Sequence, residues 1–128
     1  MENEFVTYEQ AIQLKELGFD EPCMFVHDTW GNTKNWTEDG EGEHRNSYIN
    51  ASIYYSAPLK QQVFRWFREK HDLWFRPDYY DEMREYDYQG SIHQLGRHSS
   101  LITLGNCKTV EELEAKCIDE LIEMVKKK

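Results

Sequence analysis

A helix with strong start and stop signals near the N-terminus is the feature that most constrains the fold of this chain. Thr7 and Gln10 form a capping box, in which each side chain bonds the other residue's backbone N–H. Gly18 suits the left-handed position that ends a helix, and Phe19 can fold back on Leu14 in a Schellman motif. The spacing therefore predicts a first helix that begins after Thr7 and ends before Gly18.

Two further helices are predicted on the same grounds. The second begins at Ser56, with Pro58 in its first turn, where a missing N–H is tolerated. The third begins at Thr109, with Glu112 completing a second capping box and three lysines at its C-terminal end. Its apolar stripe is formed by Val110, Leu113, Cys117, Ile118, Leu121, Ile122 and Val125.

The segments between these helices have the composition of strands rather than helices. We expect strands within 23–30, 45–55, 73–75, 83–88, 92–95 and 101–104, the last two being one strand or two. The polar segment 31–44 is predicted to be a long, mobile, acidic loop in the first hairpin. The fold class is therefore α+β, with three helices packed on an antiparallel sheet of four to five strands in the order α-β-β-α-β-β-(β)-α. Its 128 residues suit a single domain, 1–128.

Charge and composition exclude several classes of function. The net charge of −9 argues against a nucleic-acid binder or a protein of anionic membranes, since both need a surplus of cations. No run reaches the ~18 to 20 apolar residues of a membrane span, and the start MENEF lacks the basic residues of a signal peptide. The three cysteines have no close pair, which predicts buried thiols in a reducing compartment. We therefore expect a cytoplasmic protein.

The charges are segregated along the chain. The first 44 residues hold two lysines against eleven acidic residues, whereas residues 45–76 hold six cations against Glu69 and Asp72. Such a distribution is compatible with a homo-oligomer joined through opposite charges, and equally with a local cationic site on an acidic protein.

Motifs of catalysis and of metal binding are lacking in the sequence. His93 and His98 are close in sequence, but without the spacing or the carboxylate of a zinc helix. There is no GxSxG elbow, and the glycines of GEGEH at 40–44 lie among acids that would repel a phosphate. We predict no catalytic residue, no metal site and no cofactor, and hence not an enzyme.

One cluster suggests a ligand. Arg65 and Arg68 flank Trp66 on the second helix, and Tyr54 and Tyr55 precede that helix. Guanidinium groups beside aromatic faces can hold a flat anion such as a nucleotide, by stacking and by paired hydrogen bonds. The structural alternative is that Trp66 belongs to the core and that the arginines form a solvated helix edge.

Three blocks of the chain carry a resemblance: LKELGFDEPC at 14–23, the segment 58–70 with its FRWFREK, and the helix 110–125. In these blocks the chain resembles a group of small proteins of bacteriophages and prophages of Bacteroidetes. Segment 81–108 departs from the group's pattern, so no site in it is carried over. The group has no assigned activity; the resemblance implies a phage accessory protein in the cytoplasm of a bacterial host.

These observations lead to one main hypothesis and two alternatives. The main one is a non-enzymatic protein that binds a host or phage protein, in counter-defence for example, through Trp30 and Trp36 at the acidic loop 31–44. The first alternative is a module that sequesters a nucleotide in the Arg/Tyr/Trp cluster described above. The second alternative is an acidic mimic of DNA. It is the weaker one, because the cationic segment 45–76 interrupts the negative field that such a mimic needs.

Overall fold

The computed structural model describes residues 4–39, 42–47, 54–79, 88–94, 96 and 101–127. The chain divides into two compact units, residues 1–59 and residues 60–128. Except for Tyr88, the strand predicted over 83–88 lies outside the described residues. Each unit is described below by itself.

The first unit combines one helix with a three-stranded antiparallel sheet. Its elements are α1 (Tyr8–Glu16), β1 (Phe25–Asp28), β2 (Thr33–Asn35), a 3₁₀ helix (Trp36–Asp39) and β3 (Tyr54–Ser56). The strand order is β2-β1-β3, so that β1 is the central strand. Helix α1 contacts β3, and the core is built from Phe5, Val6, Ala11, Leu14, Phe19, Cys23, Val26 and Ala57.

Both ends of α1 are closed as the sequence predicts. The Thr7 hydroxyl accepts from the Gln10 backbone N–H at 3.1 Å, and the Gln10 side chain accepts from the Thr7 N–H at 3.0 Å. At the other end Gly18 has φ +94°, and the Phe19 N–H donates to the Leu14 carbonyl at 2.9 Å. The capping box and the Schellman motif are thus confirmed.

Segment 31–44 contains more regular structure than the predicted loop. Thr33–Asn35 form β2, which pairs with β1, and the 3₁₀ helix follows directly. Strand β1 also pairs with β3, with His27 opposite Tyr55 and Asp28 opposite Tyr54, so the expected pairing of 23–30 with 45–55 is present. The loop prediction missed β2 because its polar residues carry no alternating apolar signal.

The second unit places two helices against another three-stranded antiparallel sheet. Its elements are α2 (Lys60–His71), β4 (Leu73–Tyr79), β5 (Tyr88–Gln94), β6 (Ile102–Cys107) and α3 (Val110–Lys126). The strand order is β4-β5-β6. Helix α2 packs on β4, and α3 packs on β5, on β6 and on α2. Its core includes Val63, Phe64, Trp66, Phe67, Leu73, Ile92, Leu104, Cys107, Leu113, Cys117, Ile118, Leu121 and Ile122.

The predicted start of the second helix is wrong, whereas that of the third is confirmed. Helix α2 begins at Lys60, because Ser56 belongs to β3 and its N–H donates to the Asn46 side chain at 2.9 Å. For α3, the Thr109 hydroxyl accepts from the Glu112 N–H at 3.1 Å. The Glu112 carboxylate accepts from the Lys108 N–H at 3.0 Å. A capping box would use the N–H of Thr109, the next residue along the chain.

The α+β class is confirmed, and the order of elements matches the prediction except for one added strand, β2; the sheet is divided differently. Six strands form two three-stranded antiparallel sheets in place of one sheet of four to five strands. The division arises because β1 takes both of its neighbours from the first unit, one of them the unforeseen β2. All three cysteines are buried and free, as predicted.

Candidate functional site

The turn between β1 and β2 is held by one carboxylate. The Asp28 side chain accepts hydrogen bonds from the backbone N–H groups of Trp30 and Asn32, both at 2.9 Å. The backbone N–H of Gly31 donates to the Asp28 carbonyl at 3.1 Å, and Gly31 has φ +85°. The hydrogen bond from the Asn32 backbone lowers the pKa of the Asp28 carboxyl, although burial opposes it. A charged acceptor therefore orders this turn at neutral pH.

Trp30 lies in this turn with its side chain directed to solvent. It is 76% exposed, the largest value among the exposed large apolar residues of the described chain. Tryptophan offers a large apolar surface at a low cost in side-chain entropy, and it is enriched at the energetic centres of protein interfaces. The structure thus presents Trp30 as an exposed indole on an ordered turn, which makes it a candidate for contact with a partner.

Trp36 occupies a different environment from Trp30. Its ring is half-buried and meets His44 edge-on at 4.9 Å and Tyr54 at 5.1 Å between ring centroids. Its Nε1 is buried and has no hydrogen-bond partner in the described part of the chain. Trp36 therefore serves chiefly to pack the first unit, and the two tryptophans do not form one exposed pair.

The two described histidines of the first unit are buried and hydrogen-bonded. His27 Nε2 lies 2.8 Å from the Val6 carbonyl, which can only accept, so Nε2 carries the proton and Nδ1 accepts from the Thr33 hydroxyl at 2.9 Å. His44 Nδ1 lies 2.7 Å from Ser56 Oγ. Burial is the main cause that lowers the pKa of His44 to about 4. Both imidazoles therefore have structural roles.

Tyr54 and Tyr55 lie in β3 of the first unit. The ring of Tyr54 packs against Trp36, and the Lys34 ammonium lies 5.9 Å from its centroid. The ring of Tyr55 meets Tyr8 edge-on at 5.7 Å, with the Lys15 ammonium 5.0 Å from its centroid. Both tyrosines are half-buried, each beside a lysine of its own unit.

The predicted residues of α2 have different environments within the second unit. Trp66 is 4% exposed and packs on Phe67 and His71, each with its ring centroid 5.0 Å away, so it belongs to the core. Arg65 is exposed. Arg68 does lie over an aromatic ring, with its guanidinium carbon 5.4 Å from the centroid of Trp74.

A pocket of about 450 Å³ lies beside this Arg68–Trp74 pair. It is lined by residues from β4 and β5 and the turn after β5: Trp74, Phe75, Arg76, Pro77, His93, Gln94 and Gly96. Such a volume is ordinary for a small-molecule site. Trp74 is 43% exposed and Arg76 is exposed, so an aromatic ring and a cation both line the pocket.

The register of the β4–β5 pair sets which side chains share a face. Trp74 pairs with His93, and Arg76 pairs with Ser91, so all four project from one face of the sheet. Phe75 projects from the other face, where its ring packs on Phe64 of α2 at 4.8 Å. His93 Nε2 lies 2.7 Å from Ser91 Oγ. The face opposite the helices thus carries a ring, a cation and two hydrogen-bonding groups.

Sequence reasoning found Arg68 but missed Trp74, Arg76 and His93. The signal was present in LWFRP at 73–77, where apolar Leu73 and Phe75 alternate with Trp74 and Arg76. Alternation of this kind places Trp74 and Arg76 on the face away from the core. The pairing with His93 depends on strand register, which no local signal supplies.

The chain matches no protein-family model, no curated protein and no solved structure. Among the described residues, no group of three His, Cys, Asp or Glu side chains is placed to hold a metal ion. No helix in the described part of the chain combines the length and apolarity needed to cross a membrane.

Proposed function

We propose that this chain is a non-enzymatic accessory protein of a phage or prophage that binds a host or phage protein in the bacterial cytoplasm, with Trp30 as its anchor. The observation that carries the proposal is the 76% exposure of Trp30 on a turn ordered by Asp28. Because backbone hydrogen bonds already order the turn, little conformational entropy is lost when the indole enters a partner's pocket.

The charge of the first unit indicates the kind of partner. Its sequence holds three cations, Lys15, Lys34 and Arg45, against eleven acidic residues. A partner with an apolar pocket rimmed by lysine and arginine would complement both the ring and the surrounding field. Binding should therefore be faster and tighter at low ionic strength, since salt screens the charged rim.

Comparative capture from host and phage lysates tests the proposal. Wild type, Trp30→Ala and Met24→Ala serve as baits; Met24 is a matched control because it is another exposed apolar residue of the same unit, 54% exposed. We expect a protein retained by wild type and Met24→Ala but lost with Trp30→Ala. Light scattering of each bait shows whether Trp30 instead joins two copies of this chain.

Two outcomes would overturn the proposal. If Trp30→Ala retains the same proteins as wild type, the anchor is not Trp30. If the binding of these proteins to Trp30→Ala then disappears at high salt, the acidic mimic of DNA becomes the better account. If wild type is dimeric and Trp30→Ala is monomeric, the occupant of the Trp30 surface is a second copy of the chain.

A further inference from the structure

We infer that the pocket between β4 and β5 is a second binding site, for a planar aromatic molecule that carries negative charge, the chemistry of a mononucleotide. This site is independent of Trp30 and belongs to the second unit. It differs from the predicted ligand cluster in using Trp74 in place of the buried Trp66.

Two neighbours set the orientation of the Trp74 indole. Its Nε1–H donates to the Asp72 carboxylate at 3.2 Å, and the Arg68 guanidinium lies over the ring at 5.4 Å. Asp72 has a left-handed backbone, φ +55°, at the end of α2, where its N–H donates to the Arg68 carbonyl at 3.2 Å. A non-glycine residue in this conformation is strained, and here it places a carboxylate beside the indole. The ring is thus a prepared stacking surface that is still 43% exposed.

The surroundings of the ring select for an anion. Arg76 lies two residues further along β4 on the same face, about 7 Å away along the strand. A ligand ring that stacks on Trp74 therefore brings a phosphate attached to it within reach of the Arg76 guanidinium, which can bind two phosphate oxygens at once. Arg68 adds a second positive charge beside the indole.

Polar groups at the pocket can bind the edge of a ligand ring. His93 stands directly across from Trp74 in the lining, with Nε2 held by Ser91 at 2.7 Å. A histidine ring nitrogen can donate or accept a hydrogen bond, which suits the mixed edge of a nucleobase. Ring, cations and edge groups together favour a mononucleotide over a simple inorganic anion.

Titration of the full chain with three probes tests the inference. AMP supplies ring and phosphate, adenosine the ring alone, and inorganic phosphate the charge alone; binding is read by calorimetry and by tryptophan fluorescence. We expect saturable binding of AMP, with adenosine and phosphate at least about tenfold weaker, because each lacks one of the two interactions. Equal affinity for phosphate and AMP would contradict a role for the ring.

Variants at the pocket separate it from the rest of the molecule. Trp74→Ala and Arg76→Ala should each weaken AMP binding about tenfold or more, whereas Trp74→Phe should retain part of it by keeping a ring. Trp30→Phe is the matched control and should leave AMP binding unchanged. The inference fails if AMP does not bind at concentrations up to about 5 mM, or if folded Trp74→Ala binds AMP as well as wild type. Neither failure bears on the capture experiment with Trp30.

Discussion

The carboxylate of Asp28 accepts the backbone N–H of Trp30 at 2.9 Å, so the residue that ends β1 also orders the most exposed indole of the described chain. The same carboxylate also accepts the backbone N–H of Asn32, where the chain enters β2. The exposed ring is therefore attached to a turn with few alternative conformations. Under the proposed function, this relationship links the stability of the first unit to the binding of a partner.

Asp28→Ala should lower the melting temperature and also weaken partner capture, although Trp30 is unchanged. The alanine leaves two backbone N–H groups of the turn without their acceptor, so the turn samples more conformations. Asp28→Asn is the matched control, since an amide oxygen can still accept, and its effects should be smaller. Thermal melts and capture with the three proteins check this; capture by Asp28→Ala at the wild-type level would contradict it.

Acidification should destabilise the protein through His44. Burial, and to a lesser degree Lys15, lower its pKa from 6.5 to about 4, while Asp20 acts in the opposite sense. Between these two values the unfolded chain binds a proton that the folded chain does not. The stability from neutral His44 is therefore complete above pH 6.5 and is lost as pH falls toward 4, by up to about 3 kcal/mol.

Denaturant melts of wild type and His44→Gln between pH 4 and pH 7.5 measure this contribution. The glutamine can still bond Ser56 but does not titrate, so its stability should depend less steeply on pH in this window. The difference between the two curves isolates His44 from the carboxylates that titrate in the same range. Parallel curves would show that His44 binds protons alike in the folded and unfolded states, and would contradict a lowered pKa in the folded protein.

Gly90→Ala should destabilise the second unit by about 1 to 3 kcal/mol. A Cβ at Gly90 would lie 2.7 Å from Cε1 of Phe75 and 3.1 Å from the backbone oxygen of Arg76, so the ring and the strand would both have to shift. Gly105→Ala is the matched control in β6, because its nearest neighbours are Gln89 side-chain atoms at 3.7 to 3.8 Å. Chemical denaturation of both variants is the measurement; equal stabilities would contradict the close packing of Phe75.

Asp72→Gly should weaken AMP binding while leaving the free energy of unfolding nearly unchanged. Glycine adopts the left-handed conformation without strain, which offsets its greater freedom in the unfolded chain, so stability should stay within about 1 kcal/mol of wild type. The acceptor for the Trp74 Nε1–H is lost, however, and AMP binding should weaken. Asp72→Asn keeps an acceptor and tolerates this backbone, so it should bind AMP like wild type. Unchanged AMP binding in Asp72→Gly would remove Asp72 from any positioning role.

The fold was predictable where its determinants are local. The caps of α1 depend on residues three to five positions apart, Thr7 with Gln10 and Leu14 with Phe19, and both are present. The start of α2 was not predictable in this way, since Ser56 is drawn into β3 by its pairing with Val26, thirty positions earlier. The division into two sheets likewise depends on pairings that no local pattern specifies.

The candidate sites show the same difference between features set by local sequence and features set by tertiary structure. The exposure of Trp30 was expected from its place next to the polar segment 31–44, a local property of the sequence, although the predicted strand 23–30 ends at Asp28, two residues before Trp30. Arg68 was expected beside a tryptophan, but Trp66 lies on the apolar stripe of α2 and is buried, while Trp74 is presented by alternation along β4. The pocket further requires the register that sets His93 opposite Trp74, which depends on the tertiary structure.

The affinity of the captured partner for Trp30→Ala, relative to wild type and Met24→Ala, tests the proposed function most directly. With the purified partner, calorimetry should give a dissociation constant at least about 30-fold weaker for Trp30→Ala, the loss expected for an interface anchor. Met24→Ala should bind within about threefold of wild type, because scattered exposed apolar residues contribute little. Equal affinities of wild type and Trp30→Ala would contradict the assignment of Trp30 as the anchor.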